Sequence, residues 1–406
     1  MAKTYPAKQS PGQHTPNLRL HGLRGFICVV LAAMLWPASA LAEYRFNFPE
    51  PVTPVARTTL YLHNEFMIVI GILFIVVFAI LCYSLVKHRK RDGYTPATFT
   101  EPHGKKQWLW TLFPFVLLLF IDYVLMGIPA VNALIQMENT KEKADMVVKV
   151  TGLQWKWQYE YPENGVKFVS TMKTSQDEID NKARKNEHYL LDVDNPLVLP
   201  VGKKVRILLT SADVIHTWWV PQFGVKRDAI PGFLRETWVR VEKPGIYRGQ
   251  CAELCGKGHG FMPIVVEALP EDEYNAWMKK QEIAMAAAAK DSTRTFSMDE
   301  LMKKGQEVYA KSCQVCHQAN GQGLPPAFPA LAASKIVNGP LLSPEGELIE
   351  GSHVDIVLNG KTGTAMQAFK TTLSDIDLAA VVTYERNSFG NAAGDMIQPA
   401  QIKNLK

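Results

Sequence analysis

Cys251-Ala252-Glu253-Leu254-Cys255-Gly256-Lys257-Gly258-His259-Gly260-Phe261-Met262 gathers two thiols, an imidazole and a thioether in one short stretch. Gly256, Gly258 and Gly260 leave the backbone free to turn those groups inward. Upstream, Ser211-Ala212-Asp213-Val214-Ile215-His216-Thr217-Trp218-Trp219 supplies a second imidazole beside two indoles. Soft thiolate and thioether sulfur, with imidazole, select copper over hard cations. One cysteine would fit a single copper ion. Two cysteines four positions apart, backed by His259 and Met262 and faced by His216 from a separate strand, fit two copper ions bridged by two thiolates. The competing reading of the same residues is a disulfide with an incidental histidine and methionine.

Around this loop the pattern is β. Met146-Val147-Val148-Lys149-Val150, Trp157-Gln158-Tyr159-Glu160-Tyr161, Val205-Arg206-Ile207-Leu208-Leu209 and Ile264-Val265-Val266-Glu267 alternate or run apolar. Turn residues such as Pro200-Val201-Gly202 and Lys243-Pro244-Gly245 separate them, which predicts a Greek-key sandwich. Before the sandwich, Phe66 to Val86 and Trp108 to about Ile128 are apolar runs of membrane-spanning length. The connection carries Lys87-His88-Arg89-Lys90-Arg91 and Lys105-Lys106, so it should stay on the cytoplasmic side and both hairpin ends should face outward. Residues 1–42 read independently as an export signal: basic residues, a short apolar core from Phe26 to Trp36, and a small-x-small site with cleavage expected after Ala42. Asp122 interrupts the second run; a charge at that depth faces a partner or water.

Composition narrows the classes further. At 406 residues the chain has room for several cores, and its net charge of +5 gives no reason to propose a nucleic-acid partner. Of six cysteines, Cys28 lies in the leader and Cys82 in an apolar run. The others form two pairs inside cofactor motifs, leaving none for a structural disulfide. The second pair is Cys313-Gln314-Val315-Cys316-His317, the haem c attachment motif, in which the thiols bond the macrocycle and the imidazole ligates iron. It follows a predicted helix, Met298 to Lys311, and precedes another from Ser374, a candidate N-cap, to about Ser388. Between them Met366 is the expected sixth ligand, because a thioether opposite histidine raises the iron potential. A redox dithiol or a zinc element would also use Cys-x-x-Cys-His. Glu271 to Ala289 reads as a helix, and Lys290 to Thr295 as a linker.

The copper loop, Gly152-Leu153-Gln154-Trp155-Lys156-Trp157 and Phe223-Gly224-Val225-Lys226-Arg227-Asp228-Ala229-Ile230-Pro231-Gly232 stand in the same order as in cytochrome c oxidase subunit II, which the chain resembles from about Phe66 to Lys280. Residues 291–406 resemble a small class-one cytochrome c, so the whole resembles the caa-type, fused form of that subunit. The resemblance implies a multidomain chain. Its parts would be a signal peptide (1–42), a two-helix transmembrane hairpin (43–140), a cupredoxin-like Greek-key β-sandwich (141–290) and an all-α class-one cytochrome c domain (291–406). His216, Cys251, the Glu253 carbonyl, Cys255, His259 and Met262 would hold the dinuclear copper. Cys313, Cys316, His317 and Met366 would hold haem c. The Glu253 carboxylate would face a magnesium ion at the border with subunit I, lined also by Asp228, and Trp155 would take in electrons. The usual aromatic after that tryptophan is Lys156 here, and the usual acidic residue before the second membrane helix is Gln107.

The implied partners are oxidase subunit I, further oxidase subunits, cytochrome c or another periplasmic or membrane-bound donor, and membrane lipid. The implied location is the bacterial inner membrane, with both cofactor domains outside. Oxygen reduction coupled to proton pumping would occur in subunit I. Two other readings stay open at this point: the copper subunit of a nitric oxide reductase, and a membrane-tethered copper and haem electron shuttle.

Overall fold

The computed structural model describes residues 47–89, 104–140, 142–291 and 294–406. The export signal, the cleavage position after Ala42 and the Lys90-Arg91 part of the basic connection lie outside them. The elements below all belong to one compact unit, Phe48–Lys406.

Two helices, α1 (Pro54–Lys87) and α2 (Lys105–Met137), are long and apolar enough to cross a membrane. Helix α1 begins before the predicted apolar run because Thr53 caps it. The Thr53 hydroxyl accepts from Ala56 N at 3.0 Å, and Pro54, which lacks an N–H to orphan, takes the first helical position. Apolar side chains such as Ile72, Phe74 and Leu85 stand exposed along it, as a bilayer permits and water does not. Helix α2 widens into a π-helical stretch, Phe120–Gly127, around Asp122. Gly127 is required there, since any β-carbon would press into the Asp122 carbonyl.

The sandwich has two five-stranded sheets, ordered β3-β2-β1-β5-β8 and β4-β10-β9-β6-β7. The strands are β1 (Met146–Leu153), β2 (Lys156–Tyr161), β3 (Val166–Ser170), β4 (Leu197–Pro200), β5 (Val205–Ser211), β6 (His216–Val220), β7 (Val225–Ala229), β8 (Arg235–Val239), β9 (Gly245–Cys251) and β10 (Pro263–Leu269). Pairing is antiparallel except β1 with β5 and β4 with β10. Inward side chains include Trp157, Trp218, Tyr159, Leu199, Ile207 and Leu209, all fully buried. Burying each large apolar side chain contributes roughly 1.5–3 kcal/mol, which gives the loops between strands a stiff base.

Both ends of the hairpin are tied to this sandwich. Val52 joins its core, and Thr53 donates to Phe223 O at 2.7 Å. Gly224, at φ +67°, lies so close to Ala56 that a β-carbon there would strike it. The indole of Trp238 donates to Gln136 O at 3.0 Å near the end of α2, and Arg227 pairs with Glu138 at 2.9 Å. The sandwich thus sits on the side where α1 starts and α2 ends.

After β10, helix α3 (Glu271–Asp291) packs on the sandwich core through Tyr274 and Met278 and runs into the segment read as linker. Helix α4 (Met298–Ser312) begins at a capping box of Ser297 and Glu300. Helices α5 (His353–Asn359), α6 (Asp375–Arg386) and α7 (Pro399–Asn404) complete the second core. Ser374 caps α6 as its sequence predicted. Helices α4 and α6 cross at Gly305, where a β-carbon would collide with Ala380 O and Tyr384. Arg386, buried, is fixed by Asp395 at 2.7 Å and by the carbonyls of Val337 and Gly339.

Candidate copper and haem centres

Strand β6 places His216, fully buried, against the loop that follows β9. Its Nδ1 lies 3.9 Å from Cys251 Sγ, and the two sulfurs of Cys251 and Cys255 are 3.9 Å apart. His259 Nδ1 lies 3.5 Å from Cys255 Sγ. Two imidazole nitrogens thus flank two sulfurs, in the order His216, Cys251, Cys255, His259. His216, Cys251 and Cys255 alone bring their ligand atoms within 4.8 Å of one another, a spacing that could hold a metal ion. Met262 is buried in the same core cluster. Glu253 is exposed, but its carbonyl points inward, 3.4 Å from Cys251 Sγ. The donor set fits a thiolate-bridged copper pair.

Glycines give the site its closeness. A β-carbon on Gly152 would come within 2.7 Å of the His216 ring, and one on Gly258 would enter the ring of Trp155. Asp213 holds the far side of His216: Oδ1 faces Nε2 at 2.8 Å, and Oδ2 accepts from Gln154 N at 2.6 Å. Burial presses the His216 pKa down, and the hydrogen bonds to Asp213 and Cys251 more than reverse it. Nothing in the sequence reading pointed to Asp213; its place three residues before a candidate metal-ligating histidine was the available signal. Outer partners of this kind orient a ligand and raise its basicity, and losing one typically costs about 10–100-fold in metal affinity. Asp213→Asn is therefore expected to weaken copper binding in that range without unfolding the sandwich, checked by titration against a competing chelator.

The thiols share charge unequally. Hydrogen bonding from Cys255 draws the Cys251 pKa down to about 3, helped by His216. The same bond, with burial, pushes the Cys255 thiol far up. The hydrogen bond between them thus favours the thiolate at Cys251 and the thiol at Cys255.

In the second core, Cys313 and Cys316 are half-buried at the end of α4, and His317 is buried at the end of the helical turn Gln314–His317. His317 Nδ1 is 2.9 Å from Pro329 O, which leaves Nε2 for iron. Met366 is half-buried in a turn whose backbone is fixed on both sides: its N–H donates to Thr364 Oγ1 at 3.2 Å, and its carbonyl accepts from Lys361 N at 2.9 Å. The buried pair His353–Glu385 spans 2.6 Å nearby in the fold. Two thiols, one oriented imidazole and one thioether fit haem c.

Trp155 is half-buried beside the copper loop. Its indole N–H donates to Cys255 O at 3.0 Å. One residue away, the Gln154 carbonyl accepts from Gln367 Nε2 at 3.0 Å. Gln367 follows Met366 directly, and its part in joining the two cores was not read from the sequence. Asp228 accepts from Thr217 Oγ1 at 2.6 Å.

Three family models match the chain: cytochrome c oxidase subunit II, transmembrane domain (residues 42–127), the periplasmic domain of the same subunit (146–269), and cytochrome c oxidase, cbb3-type, subunit III (300–384). A probable cytochrome c oxidase subunit 2 of Rickettsia bellii is 35% identical over 260 residues, 64% of this chain and 92% of that protein. Cytochrome c oxidase subunit 2 of Cereibacter sphaeroides is 35% identical over 247 residues, 58% of this chain and 79% of that protein. The solved periplasmic domain of subunit II of cytochrome oxidase from Bradyrhizobium japonicum is 45% identical, covers 35% of this chain and 96% of that chain, and superposes with a TM-score of 0.32. Sandwich, hairpin and helical haem-binding segment together place this chain in the cytochrome c oxidase subunit II family, in the form that carries a C-terminal cytochrome c domain.

Proposed function

We propose that this chain is the electron-receiving subunit of a proton-pumping terminal oxidase in a bacterial inner membrane. Residues 1–42 serve as its signal peptide, 43–140 as its two-pass hairpin, and 141–290 and 291–406 as copper and cytochrome domains on the outer side. When bound, haem c and the copper pair supply one-electron transfer from a donor such as cytochrome c toward the haem of subunit I, where oxygen is reduced. Cys313, Cys316, His317 and Met366 hold the first group; His216, Cys251, the Glu253 carbonyl, Cys255, His259 and Met262 hold the second. The sandwich keeps His216 opposite the Cys251–Met262 loop, so ligand positions change little with redox state. The exposed Glu253 carboxylate offers one hard oxygen to magnesium, the remaining ligands coming from subunit I.

The observation that carries this reading is the junction of the two cores. Gln367, next to the methionine ligand, is bonded to Gln154, and the adjoining Trp155 is bonded to Cys255. That contact supports Trp155 as the residue through which electrons reach copper. Fusing the cytochrome raises its effective concentration at this face without tight binding. Electron paramagnetic resonance with metal analysis on the purified full-length chain in its membrane complex tests it. The expected result is one low-spin haem in this chain and one electron shared over two coppers. A single-copper signal, or none, removes the bridged pair and with it the oxidase role.

A further inference from the structure

Lys156 opens β2, directly after the Gln154-Trp155 turn at the tip of the β1–β2 hairpin. Neighbouring strand residues point to opposite faces. Trp157 enters the sandwich core, and the Lys156 side chain leaves it toward the cytochrome core. Only 4% of Lys156 is exposed. Its ammonium lies 4.9 Å from the centre of the Phe369 ring, three residues beyond Met366. Gln154, two positions earlier, receives Gln367. Lysine is seldom buried without a compensating partner, and an aromatic face is such a partner. Burial draws the Lys156 pKa down from the usual lysine range, and the charge of Asp213 is among the groups that oppose this shift.

We propose that Lys156 is a positioning residue at the junction of the two redox centres: its buried ammonium seats the 366–369 segment on the copper domain and keeps the potential of the adjoining haem high. The inference rests on the haem and copper reading above. A fixed cation disfavours the oxidised, more positive iron, and burial strengthens that interaction because little water screens it. The reduced haem is stabilised, and the haem stays a ready electron acceptor for an outside donor. The transfer itself makes and breaks no bond.

The experiment is a redox titration of the intact holo-complex carrying Lys156→Met or Lys156→Arg, with haem attachment and the copper resonance recorded on the same samples. Lys156→Met keeps the stem and removes the charge. It should lower the haem midpoint, with haem still bonded to Cys313 and Cys316 and the copper signal intact. Lys156→Arg should stay near the parent value, since it keeps both the charge and the ring contact. An unchanged midpoint in Lys156→Met, or equal falls in both variants, overturns the proposal. If the parent itself lacks attached haem or the two-copper signal, the functional reading fails instead. Should Lys156→Met not accumulate, acetylation of the unmodified complex decides: Lys156 should stay protected while the exposed Lys303 and Lys361 react, and equal labelling overturns the seating.

Discussion

Cys255→Ser is expected to abolish the shared-electron copper centre and bring electron delivery through this chain down to background. Cys255 sits between both neighbours in the row of donors, 3.9 Å from Cys251 Sγ and 3.5 Å from His259 Nδ1. A serine hydroxyl is hard and holds its proton, so it cannot bridge as a thiolate does. His259 would then have no sulfur beside it, and His216 and Cys251 would be left with at most one ion. The loss should exceed the approximately 100-fold cost of removing an outer hydrogen-bond partner. Resonance spectra and copper content of the variant complex, set beside its oxygen-consumption rate, provide the check; a retained two-copper signal would mean that Cys255 is no bridge.

The same pair fixes a pH dependence. With the Cys251 pKa drawn down and the Cys255 pKa pushed up, the Cys255 sulfur favours its protonated form. Bridging needs both thiolates, so copper uptake must expel that proton. Apparent copper affinity should therefore rise with pH and fall on acidification, where His216, its pKa raised, also gains a proton that competes with metal. Copper titrations at several pH values, with proton release followed by an indicator dye, read the sign directly. Flat affinity and no released proton would contradict a protonated Cys255 sulfur.

What could be read from the chain was what acts over short sequence distances. The copper loop is local, and its chemistry follows from residue type and spacing. The haem motif is local too, as is the cap at Ser374. Apolar length alone marked both membrane helices. The unread parts act across the chain. Asp213 reaches Gln154 over 59 positions and Gln367 reaches it over 213, and no period or motif signals such a partnership. Strand β7 carries Lys226, Arg227 and Asp228 on a partly solvated edge, so it reads as a charged loop until pairing with β6 shows it to be a strand. Strand β9 holds glycine at both Gly245 and Gly249, and Gly249 is there because a β-carbon would run into Trp219 O. Such a glycine lowers strand propensity locally while close packing demands it. The burial of Lys156 is the sharpest instance: lysine after Trp155 reads as a surface residue until the cytochrome core is folded against it.

Met366→Ala is expected to leave haem covalently attached while lowering its potential markedly and slowing electron uptake from an outside donor. On the proposed ligand set, attachment depends on Cys313 and Cys316, and the proximal side on His317, whose Nδ1 stays held by Pro329 O. The turn should also survive. Its bonds run through backbone atoms of residue 366, from Lys361 N to the carbonyl and from the amide to Thr364 Oγ1, and alanine keeps both. Gly360, at φ +73°, packs against the Met366 carbonyl rather than its side chain. What is lost is the thioether. Methionine sulfur opposite histidine favours ferrous iron, and water or a nitrogen ligand in its place favours ferric. Passage from haem to copper then becomes more downhill, but reduction of the haem by the same donor becomes less favourable, so the slow step shifts to intake. A redox titration, with the optical signature of sulfur ligation followed through it, separates the cases. A fall in potential together with loss of that signature assigns Met366 as the ligand. If both persist in the alanine variant, the sixth ligand must be sought among Met298, Met302 and Met396. Met298 and Met302 lie on α4, and Met396 is exposed near the chain end, so none of the three shares the anchored turn beside Gln367 that joins haem ligand to copper domain.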